Sequence, residues 1–378
     1  FQKLLLNFTW WVNRKDKQWN NIFGGGFLGL DNIGAFDRNM QFKNGDHLEQ
    51  ADGTSWMAMF ALNMMRISME LSQYNPIYED MAIKFFEHYL YIAEAMENIG
   101  ETKNGLWNEE DGFFYDLLQL NNGDSVPLKL RSIVGLIPLF AVEIVEHSML
   151  ERLPNFRKRM HWILKNKPHL ADLVSHWEVE GKGGKHLMSI LRKTRLKRVL
   201  CRMVDENEFL SDYGIRSMSK VYEKNPFNFS VDGKNFNVKY TPAESDSSMF
   251  GGNSNWRGPI WFPINFLIVE SLQRFHYYYG DSLQIEYPTN STQMRNLDFV
   301  ASDLSKRLYS IFSKDEQGNR AFNGESDLMN DNEFFKDYIM FHEYFNGDTG
   351  KGIGASHQSG WTATIAKLIQ PRMGSRPQ

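Results

Sequence analysis

Cysteine is almost missing from this 378-residue chain. Cys201 is the only one, so no intramolecular disulfide can hold the fold. No apolar run approaches the roughly 18 residues that a membrane-spanning helix needs. A strong excess of either charge is also lacking. The 42 Lys and Arg residues against 46 Asp and Glu leave a net charge of −4, which gives no general pull toward a phosphate backbone and argues against a nucleic-acid partner. There is no G-x-x-x-x-G-K-[ST] loop, and the GGGFLG run from Gly24 to Gly29 has no strand–turn–helix context for a dinucleotide. No H-E-x-x-H or G-x-S-x-G occurs, and the ten histidines do not pair at ligand spacing, so neither a metal nor another cofactor is expected. The chain opens on Phe1 with neither an initiator Met nor a signal-peptide layout. That start reads as internal to a longer protein, and the expected location is cytoplasmic.

Aromatic residues are abundant, at 14% with 10 Trp, 15 Tyr and 28 Phe. That excess calls for a large core, a ring-stacking cleft or both. Helical periodicity dominates the sequence. Trp56, Phe60, Met64, Ile67 and Leu71 recur at the spacing of one buried helix face, and Phe85, Tyr89, Ile92, Ala93 and Met96 do so in the next segment. The nearly continuous apolar stretch from Arg131 to Leu150 predicts a helix covered on most sides. Further helices are predicted over 156–165, 187–204, 263–279, 297–312 and 360–369, with weaker ones over 3–12 and 168–177. Two hairpins interrupt them, at 113–130 and at 227–240, the second around Asp232-Gly233. With no strand–helix alternation, linker or repeat, the reading is a single domain over 1–378, built of paired helices with decorated loops. The basic run from Arg192 to Arg202 reads as the solvated face of an outer helix.

Loop carboxylates flanked by glycines and aromatics are the residues best placed to reach a ligand. Asp31 sits in Leu-Asp-Asn-Ile among glycines, where it suits a sugar-hydroxyl ligand or a turn-closing role equally. Asp52 precedes a helix, where it either caps the free N–H groups or points into a cavity; Glu49 is its local rival. Asp111, in Glu-Glu-Asp-Gly, suits a turn or a sugar ligand. Glu343 lies between His342 and Tyr344 ahead of a tight Asn-Gly-Asp turn. Trp256 and Trp261 bracket Arg257 where a loop enters a helix, a pattern that resembles a sugar-stacking surface with a hydrogen-bonding arginine. Carbohydrate chemistry follows from aromatic platforms beside loop carboxylates.

Taken together, GFLGLDNIGAFDR, LEQADGTSWMA, LWNEEDGFFYD, YGIRSMS, FGGNSNWRGPIW and HEYFNGDTG resemble the catalytic domain of glycoside hydrolase family 63, which includes processing α-glucosidases. They run in family order from about Gly24 to Ile369. The resemblance implies an (α/α)6 barrel with short β-hairpin insertions, all-α in class. It also implies inversion by an aspartic acid and a glutamic base. Glu343 matches the base motif. The family's Q-x-x-G-x-D is met here by Gln50 to Ser55 with serine at its last position, and Asp52 is the carboxyl left within it.

The reading is therefore an exo-acting inverting glycosidase, α-glucosidase-like, taking an oligosaccharide or small glucoside and needing no metal, nucleic acid or membrane. Asp52 is the expected acid and Glu343 the expected base, with Asp31, Glu49, Asp111, Trp256, Arg257 and Trp261 around the sugar. Inversion sets an expected separation of roughly 6.5–9.5 Å between the acid and base carboxyls. A sugar-binding toroid without catalysis and a helical protein-interaction scaffold are the rival readings.

Overall fold

The computed structural model describes residues 1–15, 21–23, 29–40, 42, 44–97, 105–167, 170, 184–249 and 254–369. Its chain trace divides into two compact units. The first joins Phe1–Leu28, Arg38–Leu200 and Arg274–Leu283; the second joins Gly29–Asp37, Cys201–Gln273 and Gln284–Gln378. Helix is the dominant regular structure, as the periodicity predicts. Among the described residues there is one three-stranded sheet and six two-stranded ones, every pair antiparallel.

In the first unit two long helices, Ala51–Ser72 and Ile77–Glu97, are joined by a short connection. The stripe read from the sequence is buried in the second helix. In the first, only Met64 of Trp56, Phe60, Met64, Ile67 and Leu71 is buried, and the inward face is displaced to neighbouring positions. Met57, Ala61, Leu62, Met65 and Met69 of one helix and Phe85, Phe86, Tyr89 and Ile92 of the other are almost fully buried. Each large apolar side chain buried this way contributes about 1.5–3 kcal/mol. The Gln2–Val12 helix adds Phe8, whose ring lies edge-on to Phe60 at 5.2 Å and Phe85 at 5.0 Å.

Two helices here begin on carboxylates borrowed from elsewhere in the unit. Ala51 N–H donates to Asp116 Oδ1 at 2.9 Å. Phe156 N–H donates to Glu79 Oε1 at 2.8 Å, at the start of the Pro154–Asn166 helix. Each anion meets otherwise unpaired donors at the positive end of a helix dipole.

The stretch from Arg131 to Leu150 is not one helix. It forms short 3-10 turns at Ile133–Gly135 and Ile137–Phe140, a strand at Val142–Glu146 and a short helix at His147–Glu151. Pro138 lacks the N–H a longer helix would use. Gly135 is packed so tightly that a Cβ would lie 2.2 Å from the Phe113 ring. The β-branched Val142, Ile144 and Val145 pair with Lys185–Ser189, so the helix expected from Leu187 starts only at Lys193 and runs to Met203. The C-terminal helix expected over 360–369 is likewise two short ones, Ser359–Thr362 and Ile365–Ile369. Apart from Leu170, the predicted helix over 168–177 lies outside the described residues, as do the glycine clusters at Gly24–Gly26 and Gly251–Gly252.

His88, on the Ile77–Glu97 helix, provides a pH test of this unit. Burial, with Lys15 and Lys84 nearby, lowers its pKa from 6.5 to about 4, against a smaller opposing pull from Glu87. A depressed folded-state pKa contributes stability that is fully present above pH 6.5 and is lost as pH falls through about 4. In acid denaturation monitored by circular dichroism, His88→Phe should lose less stability across that window than wild type. An unchanged acid limb would contradict it.

In the second unit the 227–240 hairpin forms as predicted. Phe227–Val231 pairs with Lys234–Val238 around Asp232 and Gly233, both at positive φ. The Phe262–Tyr279 helix begins in this unit, and the Leu297–Ser310 helix, capped by Asn296, lies wholly within it. Ile260 bridges both Arg216 and Phe345, drawing three distant segments into one small frame.

Candidate active site

Two buried asparagines build the site in the second unit. Asn32 Nδ2 donates to Asn255 Oδ1 and to Ser245 Oγ, each at 3.1 Å, while Asn32 Oδ1 accepts from Trp256 N–H at 2.7 Å. Asn255 Nδ2 donates to the carbonyls of Thr241 at 2.8 Å and Ala243 at 2.6 Å. Both side chains are fully buried, so these amides serve the backbone rather than a ligand. They tie the Gly29–Asp37 loop and the 254–261 segment to each other.

Arg257 completes that tie. Its Nε donates to Asn32 O at 2.6 Å and its NH2 to Gly34 O at 2.9 Å, and it is only 5% exposed. Burial lowers its pKa, with Asp246 opposing. Arg257 therefore fixes the backbone around Asp31 and is not directed at a sugar hydroxyl. The glycine that follows it is needed for close approach: a Cβ on Gly258 would lie 2.7 Å from the Tyr240 ring and 2.8 Å from Thr241 O.

Trp256 and Trp261 do not form an open platform. Their rings stack on each other at 3.8 Å and 3° between planes, and both are buried. Trp261 also stacks on Tyr344 at 4.7 Å, and two rings at these distances must take opposite faces of the indole. The stack is a wall behind the site, with Trp261 Nε1 held by Asn255 O at 2.9 Å. The sequence spacing of the two tryptophans does not distinguish rings that stack on a ligand from rings that stack on each other.

Asp31 and Glu343 are the carboxyls this frame presents. Asp31 is half-buried and hydrogen-bonded to Ser254. Burial raises its pKa, the Ser254 bond opposes, and the Glu343 charge adds to the rise. Glu343 is held at both ends, its N–H donating to Ala355 O at 2.9 Å and its Oε2 accepting from Ala355 N–H at 3.2 Å. Beside it, burial lowers His342, so the neighbouring imidazole brings no charge. Tyr344 is pushed up to about 12 by burial first, then by the charges of Glu343 and Glu244. The turn after Glu343 is anchored by Asp348, whose Oδ1 accepts from Lys220 Nζ at 2.9 Å and from Arg216 NH2 and Tyr240 OH at 3.1 Å. Arg216 belongs to the YGIRSMS motif, which thereby acquires a role that sequence reading did not give it.

Glu49, Asp52 and Asp111 belong to the first unit, so the expected Asp52–Glu343 pair draws its members from different units. Asp52 does not have the setting of a general acid. It is fully buried on the first turn of the Ala51–Ser72 helix, and Arg38 binds both of its oxygens, through NH1 at 2.8 Å and through NH2. The same guanidinium holds Asp116 through Nε at 3.0 Å and NH2 at 3.1 Å. Gly53 N–H adds a further bond to Asp52 Oδ1 at 2.8 Å. Both of its oxygens are engaged as hydrogen-bond acceptors, the opposite of the donor role a general acid plays. Burial and the Asp52 charge push Asp116 up while Arg38 pulls it down. Glu49 is buried and paired with His47 at 3.1 Å, and Asp111 is paired with Lys129 at 3.1 Å. A cavity of about 420 Å³ in this unit is lined by Arg66, Met69, Gln73, Glu146 and Arg152 and by none of the expected carboxyls. Among the described residues no cluster of three or more potential metal ligands occurs, and no helix is long and apolar enough to cross a membrane.

Comparison with known proteins matches residues 185–314 to the Glycosyl hydrolase family 63 C-terminal domain. The chain is related to glycoside hydrolase family 63. The matched segment includes Arg216 and the 254–261 run of the site. A Saccharomyces cerevisiae relative, "Uncharacterized protein YMR196W", is 50% identical over 98% of this chain, which spans 35% of that protein's length. The "Mannosyl-oligosaccharide glucosidase" of the same yeast is 24% identical over 46% of the chain and 15% of its own length. Among solved structures, the family 63 mannosylglycerate hydrolase from Thermus thermophilus in complex with glucose aligns over 85% of this chain and 47% of its own. Its identity is 12% and its TM-score 0.39, too low to support an argument.

Proposed function

We propose that this chain carries the catalytic region of an inverting, exo-acting, α-glucosidase-like glycoside hydrolase on an (α/α)6 toroid, with Glu343 as base and Asp31 as acid. The reading is carried by one observation: within a single unit, a carboxyl whose pKa is raised lies in the electrostatic reach of a second carboxyl that is fixed by backbone bonds. A carboxyl whose pKa is raised, set beside a second carboxyl, is the arrangement from which an acid–base pair is built. The relation to family 63 and to a relative named as a glucosidase supports the substrate class.

In this mechanism Asp31 gives its proton to the glycosidic oxygen as the bond from that oxygen to the anomeric carbon breaks. Glu343 takes a proton from a water whose oxygen bonds to the opposite face of the same carbon. Configuration inverts, Asp31 is left ionised and Glu343 protonated, and exchange with solvent restores both. Ser254, hydrogen-bonded to Asp31, fixes the direction in which the acid points. The purified protein should release glucose from α-linked glucose disaccharides, with the β-anomer appearing first by proton NMR. Binding without release would favour the non-catalytic toroid, and the α-anomer appearing first would rule out inversion.

Gly354 bears on the same residue. It sits at φ +73°, and a Cβ there would lie 2.7 Å from Glu343 Oε2 and 2.9 Å from the Tyr344 side chain. Gly354→Ala should therefore displace the base and lower kcat by about 100-fold, the scale of a 1 Å misplacement. A variant with unchanged kcat would show that the carboxyl position does not matter.

A further inference from the structure

The Thr241–Ser247 loop is bonded to three segments of the site. Thr241 N–H donates to Arg257 O at 2.6 Å, and Pro242 O accepts from Gly347 N–H at 2.9 Å, in the turn that follows Glu343. Asn255 holds the carbonyls of Thr241 and Ala243, and Asn32, next to Asp31, donates to Ser245 Oγ. Ser245 Oγ also accepts from Ser247 N–H at 3.1 Å, closing the loop on itself. A loop fixed at so many points has a single shape, yet the residue in its middle, Glu244, is exposed and makes no hydrogen bond or ion pair among the described residues. Its charge is felt by Tyr344, the ring next to Glu343.

The cations of the surrounding segments are already engaged. Lys239 pairs with Asp246 at 2.7 Å, Arg216 and Lys220 bracket Asp348, and Arg257 is turned onto backbone carbonyls. The carboxylates of Glu244 and Glu343 are left without an engaged cation. We propose that Glu244 contacts the leaving group and selects neutral, polyhydroxylated ones over anionic ones. A carboxylate accepts hydrogen bonds from two sugar hydroxyls readily, whereas it repels a carboxylate or phosphate on the aglycone. This inference rests on the glycosidase reading above.

The test compares kcat/KM on two glucosides, one with a neutral sugar as leaving group and one with glycerate, in wild type and in Glu244→Gln. Wild type should favour the neutral substrate by about tenfold at low salt. Glu244→Gln should raise kcat/KM on the anionic substrate about three- to fivefold and raise KM on the neutral one. Because Glu244 is exposed and unpaired, the variant should keep the wild-type Tm, so the kinetic change reports on the substrate. If glucosides are turned over but the ratio is the same in both proteins, Glu244 is not the selector and the glycosidase reading stands. If no glucoside is turned over by the folded protein, the glycosidase reading fails and this inference fails with it.

Discussion

Glu343→Gln should lower kcat by about 10²–10⁴-fold while leaving glucose binding within a few-fold of wild type. The amide keeps the shape of the carboxyl and its bond from Ala355 N–H, so the binding surface is preserved, but it cannot accept the proton of the attacking water. Asp31→Asn should produce a loss of similar size on substrates with a poor leaving group. The loss should be much smaller on an activated aryl glucoside, whose departing oxygen needs no proton. The pH profile supplies an independent reading. Burial raises the pKa of Asp31 in the folded protein, so the acid retains its proton to higher pH than an ordinary aspartate, and the alkaline limb of kcat/KM should lie correspondingly high. That limb should vanish in Asp31→Asn. If the Asp31 variant keeps wild-type rates on natural glucosides, Asp31 is a sugar ligand and the proton comes from another group.

What could be read from the sequence follows from how local each feature is. The two long helices of the first unit and the 227–240 hairpin depend on periodicity and on one Asp-Gly turn, and both are written in consecutive residues. The Arg131–Leu150 run is nearly continuous in apolar residues, and such a run carries no period to separate strand from helix. The partner that makes Val142–Glu146 a strand is Lys185–Ser189, far along the chain. The same distinction divides the site. Glu343 lies in a motif whose turn is set by its own neighbours, Asn346 and Asp348. The setting of Asp52 depends on Arg38 and Asp116, which no local pattern joins to it. Asp31 is readable as a loop carboxyl, but its raised pKa comes from burial and the Glu343 charge, against the Ser254 bond, and those surroundings are set by distant segments. Asn32, Asn255 and Glu244 gave no signal, because a buried asparagine and a loop glutamate look like turn residues until their partners are in place.

Arg38→Met should destabilise the protein by about 3–5 kcal/mol, because it leaves Asp52 and Asp116 buried with no cation between them. The side chains of Arg38, Asp52 and Asp116 are about one-tenth exposed or less, so water cannot take over the role of the guanidinium. The three ionised groups together carry one excess negative charge. Replacing one carboxyl by an isosteric amide removes that excess and leaves a one-to-one pair. Asp116→Asn and Asp52→Asn should therefore each cost clearly less than Arg38→Met, though Asp116→Asn still weakens the acceptor that starts the Ala51–Ser72 helix. Urea denaturation of the three variants measures the order directly. The same variants separate the structural role of Asp52 from the catalytic one. Asp52→Asn should lower stability modestly while its folded fraction keeps the wild-type pH profile. A fully stable Asp52→Asn protein with a rate loss above about 100-fold would return the acid to Asp52. That outcome is disfavoured by the two bonds Arg38 makes to its oxygens, since a proton on Asp52 would have to break one of them.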